Sequence, residues 1–458
     1  MKKSLFAVAA VTAFAGAAQA QSSVTVYGIL DVGFINSNAS TTATGAAATV
    51  NYPTTAAYTG ANQTLKQTQS VLGQSAQQTS RLGFKGTEDL GGGTSAFFTA
   101  EFTLTPNEQT LSGNATGGLK NRQTFVGLKK NGLGDFAVGT QYTPVHIAVS
   151  KTDPGMQNNL TGSVIYTGQA DSGVLGGVGG NQNAYTTRAS NTLTLNSEVL
   201  AGFQGHAIAI LNNNNSTAID QAAIANTVIT ANGVATGGVV NTNGWGLGVD
   251  YTWNKLFATA NYQAIKQLTS VANYSSFGAV GVAGTAGAAG PTTGASQPFA
   301  NASGTTATSM ATTGQGINIQ DNQTYVGATY DFGILKAYAS WISRKATDTA
   351  NSGNYQKRQA EQIGVRSYIT PTIEGWASAG VGTFTPYGVN QNSAHFNAWQ
   401  LGSNYWLSKR TNLYAIYGQY AQGTTAYSTY TATSGAVAST GSSSMNVSNF
   451  AIGVRHTF

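Results

Sequence analysis

Apolar and polar residues alternate with a period of two along most of this chain, in runs of roughly ten residues separated by two kinds of connector. The last run shows it most clearly. In MNVSNFAIGVRHTF, Phe450, Ile452, Val454, His456 and Phe458 fall on one face, and Asn449, Ala451, Gly453, Arg455 and Thr457 on the other. In the first run, Val24 to Ser37, Val26, Leu30, Val32 and Phe34 oppose Tyr27, Asp31 and Gly33. Period two is the mark of a strand with two different faces.

Short turns pair the runs. Ser80 to Asp89 joins Thr94 to Thr105 across three glycines, and Arg122 to Lys130 joins Asp135 to Val145 across Asn131–Gly134. Further pairs are Arg188 to Val199 with His206 to Asn214, Trp245 to Asn254 with Leu256 to Gln267, and Asn322 to Phe332 with Ile334 to Lys345. Glu361 to Thr370 pairs with Ile373 to Phe384, and Phe396 to Ser408 with Leu413 to Gln422. With the first and last runs this makes about sixteen strands, an even number. The other connectors are long and rich in Ala, Thr, Ser and Asn: Asn38 to Gln78, Asn215 to Asn243, Thr269 to Asp321 and Gly423 to Ser444, with a further loop from Ile147 to Thr186.

An apolar face opposite a small and polar one suits a strand with lipid outside and water inside. A sheet edge left open in hydrocarbon would strand unpaired backbone groups, so the last strand is expected to pair with the first. The predicted fold is therefore all-β, a transmembrane antiparallel β-barrel with short turns at one end and long loops at the other. Trp245, Tyr251, Trp253, Trp341, Trp399 and Tyr405 suit the aromatic girdles at the two membrane surfaces. A soluble sandwich has no use for such girdles, and no short fixed repeat supports a secreted solenoid.

Composition narrows the reading further. Only 8% of the 458 residues are charged, where a soluble domain carries about a quarter. Lys2, Lys3, the apolar run from Leu5 to Ala18 and the Ala18-Gln19-Ala20 site read as an export signal over residues 1–20, leaving 21–458 as one barrel domain. No later apolar run approaches the length of a membrane helix. The absence of cysteine excludes disulfides, thiolate metal sites and a lipoprotein anchor. The formal charge of +6 falls to +4 once Lys2 and Lys3 are removed, too little to imply a nucleic-acid partner. His146, His206, His395 and His456 are scattered, with no HExxH, Ser-His or GxxxxGK[ST] motif, so neither catalysis nor a metal or cofactor is expected.

SSVTVYGILDVGF (Ser22 to Phe34), SRLGFKGTEDLGGG (Ser80 to Gly93), NRQTFVGL (Asn121 to Leu128), VGTQYTP (Val138 to Pro144), SNYWLSKRTNLYAIYGQY (Ser403 to Tyr420) and IGVRHTF (Ile452 to Phe458) resemble the trimeric general porins of Gram-negative bacteria, the betaproteobacterial porins in particular. That resemblance implies an outer-membrane, water-filled diffusion channel for small hydrophilic solutes. It also implies a homotrimer in contact with outer-membrane lipid and lipopolysaccharide, whose assembly machinery reads the terminal Phe458. One extracellular loop would fold into the lumen and set acidic groups against a basic ladder on the opposite wall. Carried onto this chain, the pore constriction is Arg81, Lys85, Arg122 and Arg188, with Asp153 as the acidic partner. Parity supports part of this: Leu82 and Phe84 outward place Arg81 and Lys85 inward, and Leu193 and Leu195 outward place Arg188 inward. More arginines than acids at the constriction imply a modest anion preference. A substrate-specific channel would need an aromatic track, whereas Tyr27, Phe97, Tyr325 and Tyr338 are dispersed; an adhesin would work through the long loops.

Overall fold

The computed structural model describes residues 23–44, 49–51, 57–59, 63–113, 118–166, 188–217, 237–271, 317–349, 352–353, 355–388, 392–430 and 437–458. The expected export signal over residues 1–20 lies outside them, as do the middles of the loops expected at 215–243 and 269–321.

The strands in chain order are β1 (Ser23–Thr44), β2 (Thr49–Asn51), β3 (Ala57–Thr59), β4 (Gln63–Gln74), β5 (Arg81–Gly91), β6 (Thr94–Thr103) and β7 (Asn121–Lys130). After β8 (Gly134–Tyr142) comes a helix, α1 (Pro144–Thr152), then β9 (Arg188–Ser197), β10 (Phe203–Thr217), β11 (Gly237–Trp253) and β12 (Leu256–Val271). The series ends with β13 (Ile317–Asp331), β14 (Lys336–Asp348), β15 (Tyr355–Tyr368), β16 (Ile373–Gly388), β17 (Ala394–Trp406), β18 (Thr411–Tyr430) and β19 (Val437–Thr457).

All but β2, β3 and β4 close into one antiparallel ring of sixteen strands. β1 pairs with β5 through Ser23–Ile29 and with β19 through Ile29–Thr44, so the first and last strands form the seam. Gly28 and Phe458 exchange both backbone bonds at 3.1 Å, and the Phe458 ring occupies the space a side chain at position 28 would take.

The barrel is inside out relative to a soluble protein. Val26, Leu30 and Val32 of β1, Val126 and Leu128 of β7, Leu247 and Val249 of β11 and Ile452 and Val454 of β19 are all exposed on the outer face. Such a belt far exceeds the apolar patch a soluble monomer tolerates. Gln263, Gln323, Gln400, Asn404, Asn412 and Asn449 are buried on the inner face. Among the described residues no helix is long and apolar enough to cross a membrane; the crossing is made by strands.

Strands run into the expected loops, β18 and β19 taking up most of Gly423–Ser444, and two further features depart from the sequence expectation. The loop expected at Asn38–Gln78 contains β4, which pairs with the outer half of β1, Val32–Ala43. Its polar residues still pair across strands, Asn36 Nδ2 donating to Ser70 Oγ at 2.9 Å and Thr68 Oγ1 to Asn38 Oδ1 at 3.0 Å, so the ladder continues beyond the apolar belt. The strand expected at Asp135–Val145 stops at Tyr142. Thr143 caps α1 by accepting the His146 N–H, and Pro144 takes the first helical position, where its missing N–H costs nothing.

Below the hairpin of β1 and β4, the buried Asp31 carboxylate organises the seam. Its Oδ2 accepts the backbone N–H groups of Gln77 (2.8 Å) and Gln78 (2.6 Å), and its Oδ1 accepts the Tyr414 hydroxyl at 2.6 Å. Three donors offset the burial of the charge and tie β1, the β4–β5 connection and β18 together.

The orientation is testable. Val138→Arg on the outer face of β8 is expected to destabilise the barrel by about 2–4 kcal/mol, and Thr99→Arg on the inner face of β6 by far less. Unfolding both variants by denaturant in lipid vesicles measures the difference; equal losses would contradict the assigned faces.

Candidate functional site: a loop seated across the lumen

Beyond β8 the chain turns inward, and α1 with the segment to residue 166 packs on the inner wall. Val145, Ala148, Val149, Val164 and Ile165 bury against Tyr325, Ile342, Ala360, Phe384, Phe396 and Tyr420, contributed by β13 to β18. Leu160 joins a second cluster with Ile35, Trp376 and Ile416. These are the apolar cores of a barrel that otherwise holds water; the loop supplies nearly half of the first and Leu160 of the second.

Polar bonds fix the register of the loop. Lys151 Nζ donates to Asp250 Oδ2 of β11 at 2.6 Å. Thr152 and Tyr325 share a hydroxyl bond. Asn158 and Gln400 form a reciprocal amide pair at 2.6 and 2.8 Å. Gln362 of β15 accepts from Ser163 Oγ (2.9 Å) and Val164 N (3.0 Å) and donates to Asp153 Oδ1 at 3.0 Å. The wall leaves room for this: a side chain at Gly418 would strike the Thr161 carbonyl, and one at Gly364 the Pro154 ring.

The arginines stand on the opposite wall, on β5, β7 and β9. Arg122 Nε donates to Glu101 Oε1 at 2.8 Å and its Nη2 to the Tyr142 hydroxyl at 2.9 Å. Arg81 Nη1 lies 3.8 Å from the same Glu101 oxygen, and Tyr27 donates to the other at 3.2 Å. Arg188 lies in the electrostatic surroundings of Arg122, Tyr142 and Tyr166, and its buried Nη1 has no hydrogen-bond partner among the described residues. Arg81 and Arg122 thus share one carboxylate, and Arg188 stands on the same wall. A β-bulge explains why Arg122 is among them. Glu101 pairs with Gln123 and Phe102 with Asn121, so Arg122 is the extra residue and its side chain turns into the lumen against simple parity.

The other two candidates sit elsewhere. Lys85 is on the same face of β5 as Arg81 but nearer the short turns, 5.5 Å from the centre of the Tyr27 ring. Asp153 does not touch the arginines. It caps the C-terminus of α1, is buried, and bonds to Gln157 N (2.7 Å) and Gln362. The carboxylate that Arg81 and Arg122 do share, Glu101, was marked in the sequence only by its place on the Phe97-Thr99-Glu101-Thr103 face.

Burial pushes the Asp153 carboxyl above the ordinary range, against the opposing pull of the Gln157 and Gln362 bonds and of Arg366. A raised folded-state value means that the native loop holds the proton more tightly than the unfolded chain. Its contribution to stability is present at low pH and lost as pH rises through that raised value. Relative to Asp153→Asn, the native protein is therefore expected to lose thermal stability as pH rises from about 4, the ordinary carboxyl value, through the raised one; a constant difference between the two in detergent melting curves would contradict this.

Comparison with known proteins agrees with the fold. The Gram-negative porin family matches residues 7–425. A 155-residue stretch is 36% identical to outer membrane porin protein 32 of Delftia acidovorans, covering 33% of this chain and 35% of that protein. A 143-residue stretch is 36% identical to an outer membrane porin protein of Bordetella pertussis, covering 31% and 34% respectively. The matched stretches span about a third of the length of these relatives. Among solved structures, the anion-selective porin from Comamonas acidovorans superposes with a TM-score of 0.55 at 20% identity, over 96% of this chain and all of that one. The trimer form of OmpT from Vibrio cholerae gives 0.53 at 13% identity, over 95% and 99%. With a sixteen-stranded barrel, a loop seated inside it and a family match over most of its length, this chain belongs to the Gram-negative porins of the outer membrane.

Proposed function

We propose that the protein is a passive, water-filled diffusion channel for small hydrophilic solutes, with a modest preference for anions. The observation that carries this is the wall on which Arg81 and Arg122 share the Glu101 carboxylate while Arg188 adds a third guanidinium from β9. Positive charge in excess at the narrow part of a water-filled lumen attracts anions and delays cations, while the seated loop sets the width. Arginine is the residue for this position because its guanidinium stays charged when partly buried. The anion-selective porin from Comamonas acidovorans shares the fold, which fits the same sign of charge.

The assembly we propose is a homotrimer in outer-membrane lipid and lipopolysaccharide. Phe458, at the seam and facing outward, is the residue we assign to recognition by the assembly machinery. Asp153 takes the role of seating the loop, and Lys85 that of a basic group in the vestibule, beside the arginines' constriction.

In planar bilayers under a salt gradient, the reversal potential is expected to show anion preference. Arg81→Gln with Arg188→Gln is expected to weaken that preference several-fold while the barrel still folds. Cation preference in the native channel, or unchanged selectivity in the double variant, would overturn the assignment.

A further inference from the structure

A pocket of about 330 Å³ opens on the lumenal wall between β6–β10 and the underside of α1. Lys129 and Asp135, on either side of the β7–β8 turn, place it toward the short-turn end of the barrel. Its lining differs from the rest of the water-facing wall in two ways.

Phe97 and Phe125 both point inward, with ring centres 6.3 Å apart and planes at 77°. The Phe97 ring lies over Gly127, where a side chain would collide with it. Neither ring is buried, so this pair presents apolar edges and faces to a lumen lined elsewhere by Gln, Asn, Thr and charged groups. Two rings set edge to face offer a third ring further favourable contacts of the same kind.

Lys129 and Asp135 are cross-strand partners on β7 and β8, yet among the described residues no ion pair joins them. Lys129 Nζ lies 3.4 Å from Glu198 Oε1, both side chains being well exposed, and Asp135 Oδ1 accepts from Asn196 Nδ2 at 2.7 Å. An ammonium has three donors and a carboxylate about four acceptor sites, so each retains capacity for a ligand. A positive and a negative group thus stand side by side next to an aromatic pair. Among the other polar residues of the lining, His206 is already engaged by Asn196 and Asp250 at 2.8 and 3.1 Å, and Gln141 by Thr192 and Thr194 at 3.0 and 2.8 Å.

We propose that this pocket binds a small zwitterion carrying an aromatic ring, of the α-amino acid class. The ring rests against Phe97 and Phe125, the carboxylate on Lys129 and the ammonium on Asp135. The inference rests on the diffusion-channel reading only for the route by which the solute arrives. The pocket's size lies at the small end of the range for ligand sites.

Equilibrium dialysis of L-phenylalanine against the full detergent-solubilised protein tests it. L-phenylalanine is expected to bind about tenfold more tightly than L-alanine, phenylacetate or phenethylamine, which lack the ring, the ammonium and the carboxylate respectively. Phe97→Ala with Phe125→Ala is expected to remove the advantage over alanine, and Asp135→Asn the advantage over phenylacetate. Circular dichroism checks that each variant folds, and the ligand series on the native protein decides the matter if one does not. Alanine binding as well as phenylalanine would overturn the ring contact; phenylacetate binding as well would overturn the zwitterion. Conductance of the same preparation separates the two readings, because a conducting barrel without binding overturns the pocket alone, and a binding barrel without conductance overturns the channel alone.

Discussion

Everything in this molecule follows from the cost of an unpaired peptide group in hydrocarbon. A membrane sheet cannot have edges, so β1 must find β19, and the bonds between Gly28 and Phe458 complete that closure. Closure fixes which side of each strand meets lipid. It makes the outer face the apolar one and leaves the inner face to water and to whatever the loops insert. The Asp31 clamp shows how firmly the seam is held, since one buried carboxylate ties β1 to both the β4–β5 connection and β18.

A closed ring of sixteen strands encloses more space than its inward side chains fill. The chain resolves this with part of its own length. On β13 to β18 the inner wall carries Tyr325, Ile342, Phe384 and Phe396, residues unsuited to a water-filled tube until Val145, Val149, Val164 and Ile165 cover them. The lumen is thereby divided: one wall is consumed as a hydrophobic seat, and the other, on β5, β7 and β9, keeps its arginines toward the remaining passage. In the channel we propose, width and charge come from different walls.

Much of this was legible in the alternation of side chains. All sixteen barrel strands, the seam and the inward direction of Arg81 follow from period two, because lipid on one side enforces it. What was not legible lies where that enforcement stops. β4 pairs outside the belt, where Thr, Ser and Asn carry no two-faced pattern. α1 was announced by Thr143-Pro144, a helix start masked by the strand-like residues around it. Arg122 reaches the lumen through a bulge, a one-residue slip that no pattern of faces displays. Glu101 stands where Asp153 was expected for the same reason: contact between distant strands decides which carboxylate meets Arg81 and Arg122, and Asp153 is held on the far wall by Gln362.

In the channel we propose, the loop's seat on the inner wall defines the passage. Gly418 is the sharpest place to test it, since a side chain there would strike the Thr161 carbonyl while β18 keeps its pairing with β17 and β19. Single-channel conductance of Gly418→Val, measured beside the native protein, should rise and become less selective as the loop is displaced. Unchanged conductance and selectivity in a folded Gly418→Val barrel would contradict the account.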